Sequence, residues 1–301
     1  MNVPWLALER FPSRIHLASV AKGMAPTAQR PELTGLVEAA LVRQWAERIG
    51  RAPETLLPVA DPDAAVRLAL GAVLAPNDVA VLARPCAAAA PAAVLSLGAR
   101  FLDLGRLADL RMDPASVARA PELHPDAVWI GEAPHLGGGS DARPDGAMRA
   151  WILDCRRGGL PAQAPRPDEA WITALHDLDP EAAPILAAIV GAPATIDALR
   201  PLRGPASPPL PLLRAALDRL ALPDVPNPAV QARRSERLEQ VRLAAAAWPG
   251  AVVLHAFVDE VTLRCAADDA EAFAAALRDQ GIPAHGYGAH PMRSLVRARL
   301  L

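Results

Sequence analysis

The stretch Asp78-Val79-Ala80-Val81-Leu82-Ala83-Arg84-Pro85 decides how the chain is read. Five apolar residues run without a break between the turn Pro76-Asn77-Asp78 and a proline, which predicts a short strand buried on both faces. A helix over Ala87 to Leu97 follows, and then a turn and strand in Gly98-Ala99-Arg100-Phe101-Leu102-Asp103-Leu104. The same alternation appears upstream. Leu56-Leu57-Pro58-Val59 reads as a strand, Asp61-Pro62-Asp63 as a helix start with proline at the first helical position, and Ala64 to Leu74 as the helix. Continuous apolar strands alternating with helices predict a parallel sheet covered on both sides. Ligands are then expected beyond the carboxyl ends of its strands.

The pattern extends in both directions. Apolar residues spaced by three and four from Glu32 to Ile49 predict a helix that stops at Gly50. Asp113-Pro114 opens another helix, and Ala127-Val128-Trp129-Ile130 and Trp151-Ile152-Leu153-Asp154 are further strands, with Gly137-Gly138-Gly139-Ser140 as a linking turn between them. That glycine turn lacks the strand–turn–helix context of a dinucleotide site. Past residue 200 the character changes. Pro201 to Pro211 reads as a domain connection, and a charged helix from about Val230 to Trp248 follows it. Strands at Ala251 to Phe257 and Val261 to Cys265, a helix from Asp269 to Asp279 and an extended stretch from Ile282 complete the chain. The expected architecture is therefore α/β: a large three-layer, mainly parallel sheet domain over residues 1–205, with a small α+β domain over 206–301.

Composition sets bounds on function. Hydrophobic residues make up 52% of the 301 residues, charged residues 21%, and the formal net charge is -2. No basic field for nucleic acid and no polybasic membrane patch arises from that balance. The alanine-rich runs are too short to span a bilayer, and the first residues do not read as a signal peptide. Cys86, Cys155 and Cys265 lie far apart without a CxxC pair, which points to a reducing compartment and hence to the cytoplasm. Among 31 basic residues Lys22 is the sole lysine. Chemistry that needs a lysine amine has one candidate.

The ordered segments resemble the DegT-type nucleotide-sugar aminotransferases, a family of fold-type I PLP-dependent enzymes. The resemblance is carried by Val37 to Leu41 with Trp45 to Gly50, by Asp78-Val79-Ala80-Val81 through Pro85, and by Gly98 to Asp103. Met112-Asp113-Pro114, Trp151-Ile152-Leu153-Asp154 and Gly281-Ile282-Pro283 with Tyr287 and Pro291 continue it to the C-terminus. It implies the aminotransferase fold, dimeric assembly and a PLP cofactor held as a lysine imine.

Position by position, the implied site is degenerate. The family lysine aligns at or near Asp179, and a carboxylate cannot form an imine. The phosphate turn aligns with Ala60-Asp61-Pro62-Asp63, where two carboxylates repel a dianion and Pro62 removes a backbone donor. The stretch that should supply a stacking ring reads Cys86-Ala87-Ala88-Ala89-Ala90. Asp154 alone matches, at the position of the aspartate that pairs with the pyridine nitrogen; the plainer reading is a strand-end carboxylate satisfied by backbone donors, Arg156 or Arg157. His176 lies within a few residues of the lysine position, where the sugar 3-dehydratases of this family carry a histidine base.

Other residues read more plainly. His135 is a loop residue and His255 a core or interface histidine. His285 and His290 are spaced poorly for a metal, and no metal site is expected. Asp268-Asp269 caps the next helix, and Cys86 is an inert thiol at a strand-to-helix turn. The first functional expectation is a pseudoenzyme without PLP that serves as a binding or assembly partner, in a homodimer or in a heterodimer with an active relative. The alternative is a nucleotide-sugar-modifying enzyme using His176 or Asp154 in acid/base work. An aminotransferase drawing its lysine from Lys22 is a third reading.

Overall fold

The computed structural model describes residues 31–84, 86–108, 110–133, 141, 143, 148–156, 159–175, 185–222, 228–256, 260–266, 269–286 and 294–300. Lys22, Pro85, His135, the glycine turn at 137–140, Arg157, His176, Asp179, Asp268, Tyr287, His290 and Pro291 lie outside them.

Helix α1 (Pro31–Arg48) closes on Gly50, whose φ of 66° suits a residue without a Cβ. Strand β1 (Leu56–Val59) leads into α2 (Pro62–Val73). There the Asp61 carboxylate accepts from the Ala64 backbone N–H at 2.6 Å, and Pro62 takes the first turn, where its missing donor costs nothing. The alternation then continues as predicted through β2 (Val79–Leu82), α3 (Ala89–Ser96), β3 (Arg100–Asp103), α4 (Pro114–Leu123), β4 (Val128–Glu132) and β5 (Ala150–Asp154). At α4 the Asp113 carboxylate accepts from the backbone N–H groups of Ala115 and Ser116.

Two strands went unread in the sequence, β6 (Glu169–Leu175) and β7 (Leu186–Gly191), followed by α5 (Pro193–Leu199). The large sheet has the order β1-β7-β6-β5-β4-β2-β3. Its β2–β3, β2–β4, β4–β5 and β5–β6 pairs are parallel, whereas β7 runs antiparallel to both β6 and β1. The sheet is mainly parallel, as expected. Pro58 sits in β1, an edge strand, where one side needs no ladder donor. One core cluster lies under α2, α3 and α5, built on Leu57, Val66, Leu70, Leu82, Ile130 and Ile189. A second, on the opposite face, holds Leu41, Trp45, Trp129, Trp151, Trp171 and Leu213. Helices on both faces make three layers.

The stretch at 201–211 is more structured than a connection. It forms two 3-10 turns, Arg200–Leu202 and Gly204–Ala206, and runs into α6 (Leu210–Ala221). Leu213 and Ala216 of α6 join the second large-sheet cluster. Beyond α7 (Pro228–Ala247) lies a separate antiparallel sheet, β10-β11-β9-β8, made of β8 (Val252–Ala256), β9 (Glu260–Arg264), β10 (Ala284–Gly286) and β11 (Leu295–Arg299). Helix α8 (Ala270–Asp279) packs on it through Phe273 and Leu277, and Trp248 stacks on Phe273 with ring centroids 5.1 Å apart. The expected aspartate cap of α8 is not formed by Asp269. Its φ and ψ of -92° and -8° are already helical, so its carboxylate makes no capping hydrogen bond.

Candidate functional site

Strands β2 to β6 share one direction. Because β7 reverses it and β1 reverses it again, β1 runs the same way as β6. The carboxyl ends of β1, β2, β3, β4, β5 and β6 therefore lie along one edge of the sheet. That topology brings the Asp61-Pro62-Asp63 turn after β1 and Asp154 at the end of β5 to the same edge. The third candidate region follows β6, which ends at Leu175; His176 and Asp179 come after it, outside the described residues.

Asp154 is 7% exposed and does not stand alone. Its carboxylate accepts from Arg156 Nε at 3.0 and 2.8 Å and from the Arg156 backbone N–H at 3.1 Å. The same guanidinium reaches across the edge, where Nη1 donates to Asp63 Oδ1 at 2.7 Å. Burial by itself would push the Arg156 guanidinium down, but the adjoining Asp154 and Asp63 carboxylates outweigh it and hold the group above its ordinary range. Burial, aided by Asp154, pushes the neighbouring Cys155 thiol far above the usual thiol range, which disfavours its thiolate. The plainer reading of Asp154, a strand-end carboxylate held by Arg156, describes this geometry.

Two further ion clusters occupy the same edge. Arg106, 2% exposed at its side chain, binds Asp141 bidentately at 2.8 and 2.9 Å and approaches Glu132 at 3.7 Å. Glu132 ends β4, and its carboxylate accepts from the Ala87 backbone N–H at 2.6 Å, just ahead of α3. Asp103 ends β3 and accepts from Arg84 Nε at 2.6 Å and from the Arg84 backbone N–H at 3.0 Å. Asp103, Glu132 and Asp154 thus form a series of strand-end acids, each beside an arginine. Arg106, Glu132 and Asp141 were not singled out in the sequence. The available signal was the repeated acid at the last position of successive strands.

Among the described residues, those at the positions that the resemblance assigns to a phosphorylated pyridine cofactor do not fit it. The Asp61 carboxylate already takes the Ala64 donor at the start of α2, Pro62 has none to offer, and Asp63 adds a second negative charge. Cys86 and the alanines after it supply no ring, and Asp154 is engaged by Arg156. A groove of about 430 Å³ runs beside α2, lined by Asp61, Ala64, Arg67, Leu68 and Arg203; neither Asp63, Asp154 nor Arg156 lines it.

The remaining sequence candidates do not converge here. His285 lies on β10 in the small sheet and His255 on the edge strand β8. Among the described residues no group of three His, Cys, Asp or Glu side chains could hold a metal, and no helix is long and apolar enough to cross a membrane.

No family model matches the chain, and no curated protein matches it closely enough to be counted a relative. Solved structures do match in fold. Histidinol-phosphate aminotransferase from Sinorhizobium meliloti in complex with pyridoxal-5'-phosphate aligns with a TM-score of 0.67 at 17% identity, over 86% of this chain and 75% of that one. N-succinyldiaminopimelate aminotransferase from Mycobacterium tuberculosis gives 0.65 at 18% identity, over 87% and 79%. Aspartate aminotransferase from Thermus thermophilus with maleate gives 0.62 at 17% identity, over 94% and 81%. The chain has the fold of PLP-dependent fold-type I aminotransferases. At these identities the likeness is one of fold.

Proposed function

We propose that this chain is an aminotransferase-fold pseudoenzyme, without covalent PLP chemistry, that serves as a binding or assembly partner. One observation carries the reading: Lys22 is the sole lysine of the sequence, and none occurs from residue 23 to residue 301. An imine needs a primary amine poised at the strand ends, and transamination needs the same amine to move a proton. Loss of the lysine, the phosphate turn and the stacking ring together is what relaxed selection on one bound cofactor would leave. Fold-type I enzymes build their sites between two subunits, so such a chain can still pair with itself or with an active relative and shape the partner's site. A cytoplasmic setting and a division into a large and a small domain near residue 205 belong to the same reading.

A second reading keeps the DegT-type resemblance in full, as a nucleotide-sugar-modifying enzyme with a histidine base. It is favoured by β6 ending with Leu175 at the carboxyl edge of the sheet, the residue before His176 in the sequence. Absorbance with added PLP, before and after borohydride, separates the two. The pseudoenzyme gives no stable aldimine band and nothing for hydride to fix. A band that reduction attaches to the protein would overturn the proposal, and bound but unreduced cofactor would favour the histidine enzyme.

A further inference from the structure

We infer that the Asp154–Arg156–Asp63 bridge closes the cofactor site to any phosphorylated ligand, bound covalently or not. The inference rests on the proposed loss of the lysine and extends it to reversible binding. The resemblance places the pyridine ring at Asp154 and the phosphate at the turn 60–63, so the cofactor would have to span those two points. Here one side chain already spans them: Arg156 Nε holds Asp154 at 2.8 Å and Nη1 holds Asp63 at 2.7 Å. Opening the gap would strip a buried carboxylate of its cation, which is strongly unfavourable. The charge balance works the same way. Two carboxylates, Asp63 and Asp154, share one guanidinium, a formal sum of -1, and a phosphate monoester approaching them is itself close to a dianion. The Ala64 backbone donor at the α2 start is already taken by Asp61. Arg156 thus braces β5 against α2 in the place a cofactor would brace them.

The full chain, incubated with PLP, with pyridoxal and with inorganic phosphate at millimolar concentration, tests this through thermal denaturation and gel filtration. The bridge predicts an unchanged midpoint with each compound and no cofactor absorbance travelling with the protein. Asp63→Asn, Arg156→Gln and the double variant then test the brace itself. Asp63 is 54% exposed, so its loss is tolerated, and its coupling to Arg156 should be about two- to fivefold in the folding equilibrium constant. PLP that travels with the unmodified chain and raises its midpoint, without reduction attaching it, would overturn the closed site while leaving the lysine argument standing. Strictly additive single and double variants would overturn the brace.

Discussion

A single guanidinium surrounded by carboxylates tells more about this molecule than any motif does. Arg106 is almost wholly enclosed and binds Asp141 through two hydrogen bonds, beside Glu132. Removing the Asp141 charge leaves the buried Arg106 with only the more distant Glu132, so Asp141→Asn should cost about 1–3 kcal/mol in urea denaturation. A cost near zero would mean that solvent reaches the pair. Gly131 makes a second residue-scale case. It lies on β4 directly under the Trp151 ring, and a Cβ there would meet Trp151 Cζ2 at 2.7 Å. Gly131→Ala should therefore destabilise by about 1–3 kcal/mol, as overpacking does, and should perturb the near-ultraviolet tryptophan signal. Asp154 was legible in the sequence as both a cofactor partner and a plain ion-pair acid. Spacing could not choose between them, because the choice depends on where the Arg156 side chain turns.

Elements carry a different kind of information. The β–α alternation from Leu56 to Leu104 could be read directly, since β1 and β2 are short apolar runs, β3 follows the Gly98 turn, and each helix opens with Asp-Pro or alanine-rich sequence. β7 could not. Leu186-Ala187-Ala188-Ile189-Val190-Gly191 is buried at every position, as β1 and β4 are, but its paired alanines leave the run equally compatible with a core helix. Its antiparallel sense was equally hidden, because strand direction follows from pairing partners rather than composition. The small sheet makes a testable case of its own. His285 on β10 is pushed down to about 4, first by burial and then by the Arg297 charge, with Arg299 adding to it and Glu260 and Glu271 opposing. An unfolded histidine titrates near 6.5. As the pH falls the unfolded chain takes up its proton first, so stability is full above about 6.5, declines towards 4 and levels off below. The denaturation midpoint should follow that course in the parent chain and flatten in His285→Gln. An unchanged slope in the variant would assign the acid sensitivity elsewhere.

For the molecule as a whole, fold and chemistry separate. The aminotransferase fold was legible because ordered segments carry it over most of the chain. The ion bridge between Asp63, Arg156 and Asp154 was not legible, because it depends on long-range packing between residues 63 and 156. On the proposed pseudoenzyme reading, a scaffold without a reacting amine is useful if its surfaces assemble. In that case sedimentation should show a dimer whose dissociation is indifferent to PLP. A monomer at all concentrations would remove the assembly role. The most direct measurement is the intact mass of the protein after incubation with PLP and borohydride, in parallel with a Lys22→Arg variant. The account predicts that neither protein gains a stoichiometric pyridoxyl group. One such group per chain on the parent, lost on Lys22→Arg, would mean that an amine does reach the strand ends, and the pseudoenzyme reading would be contradicted.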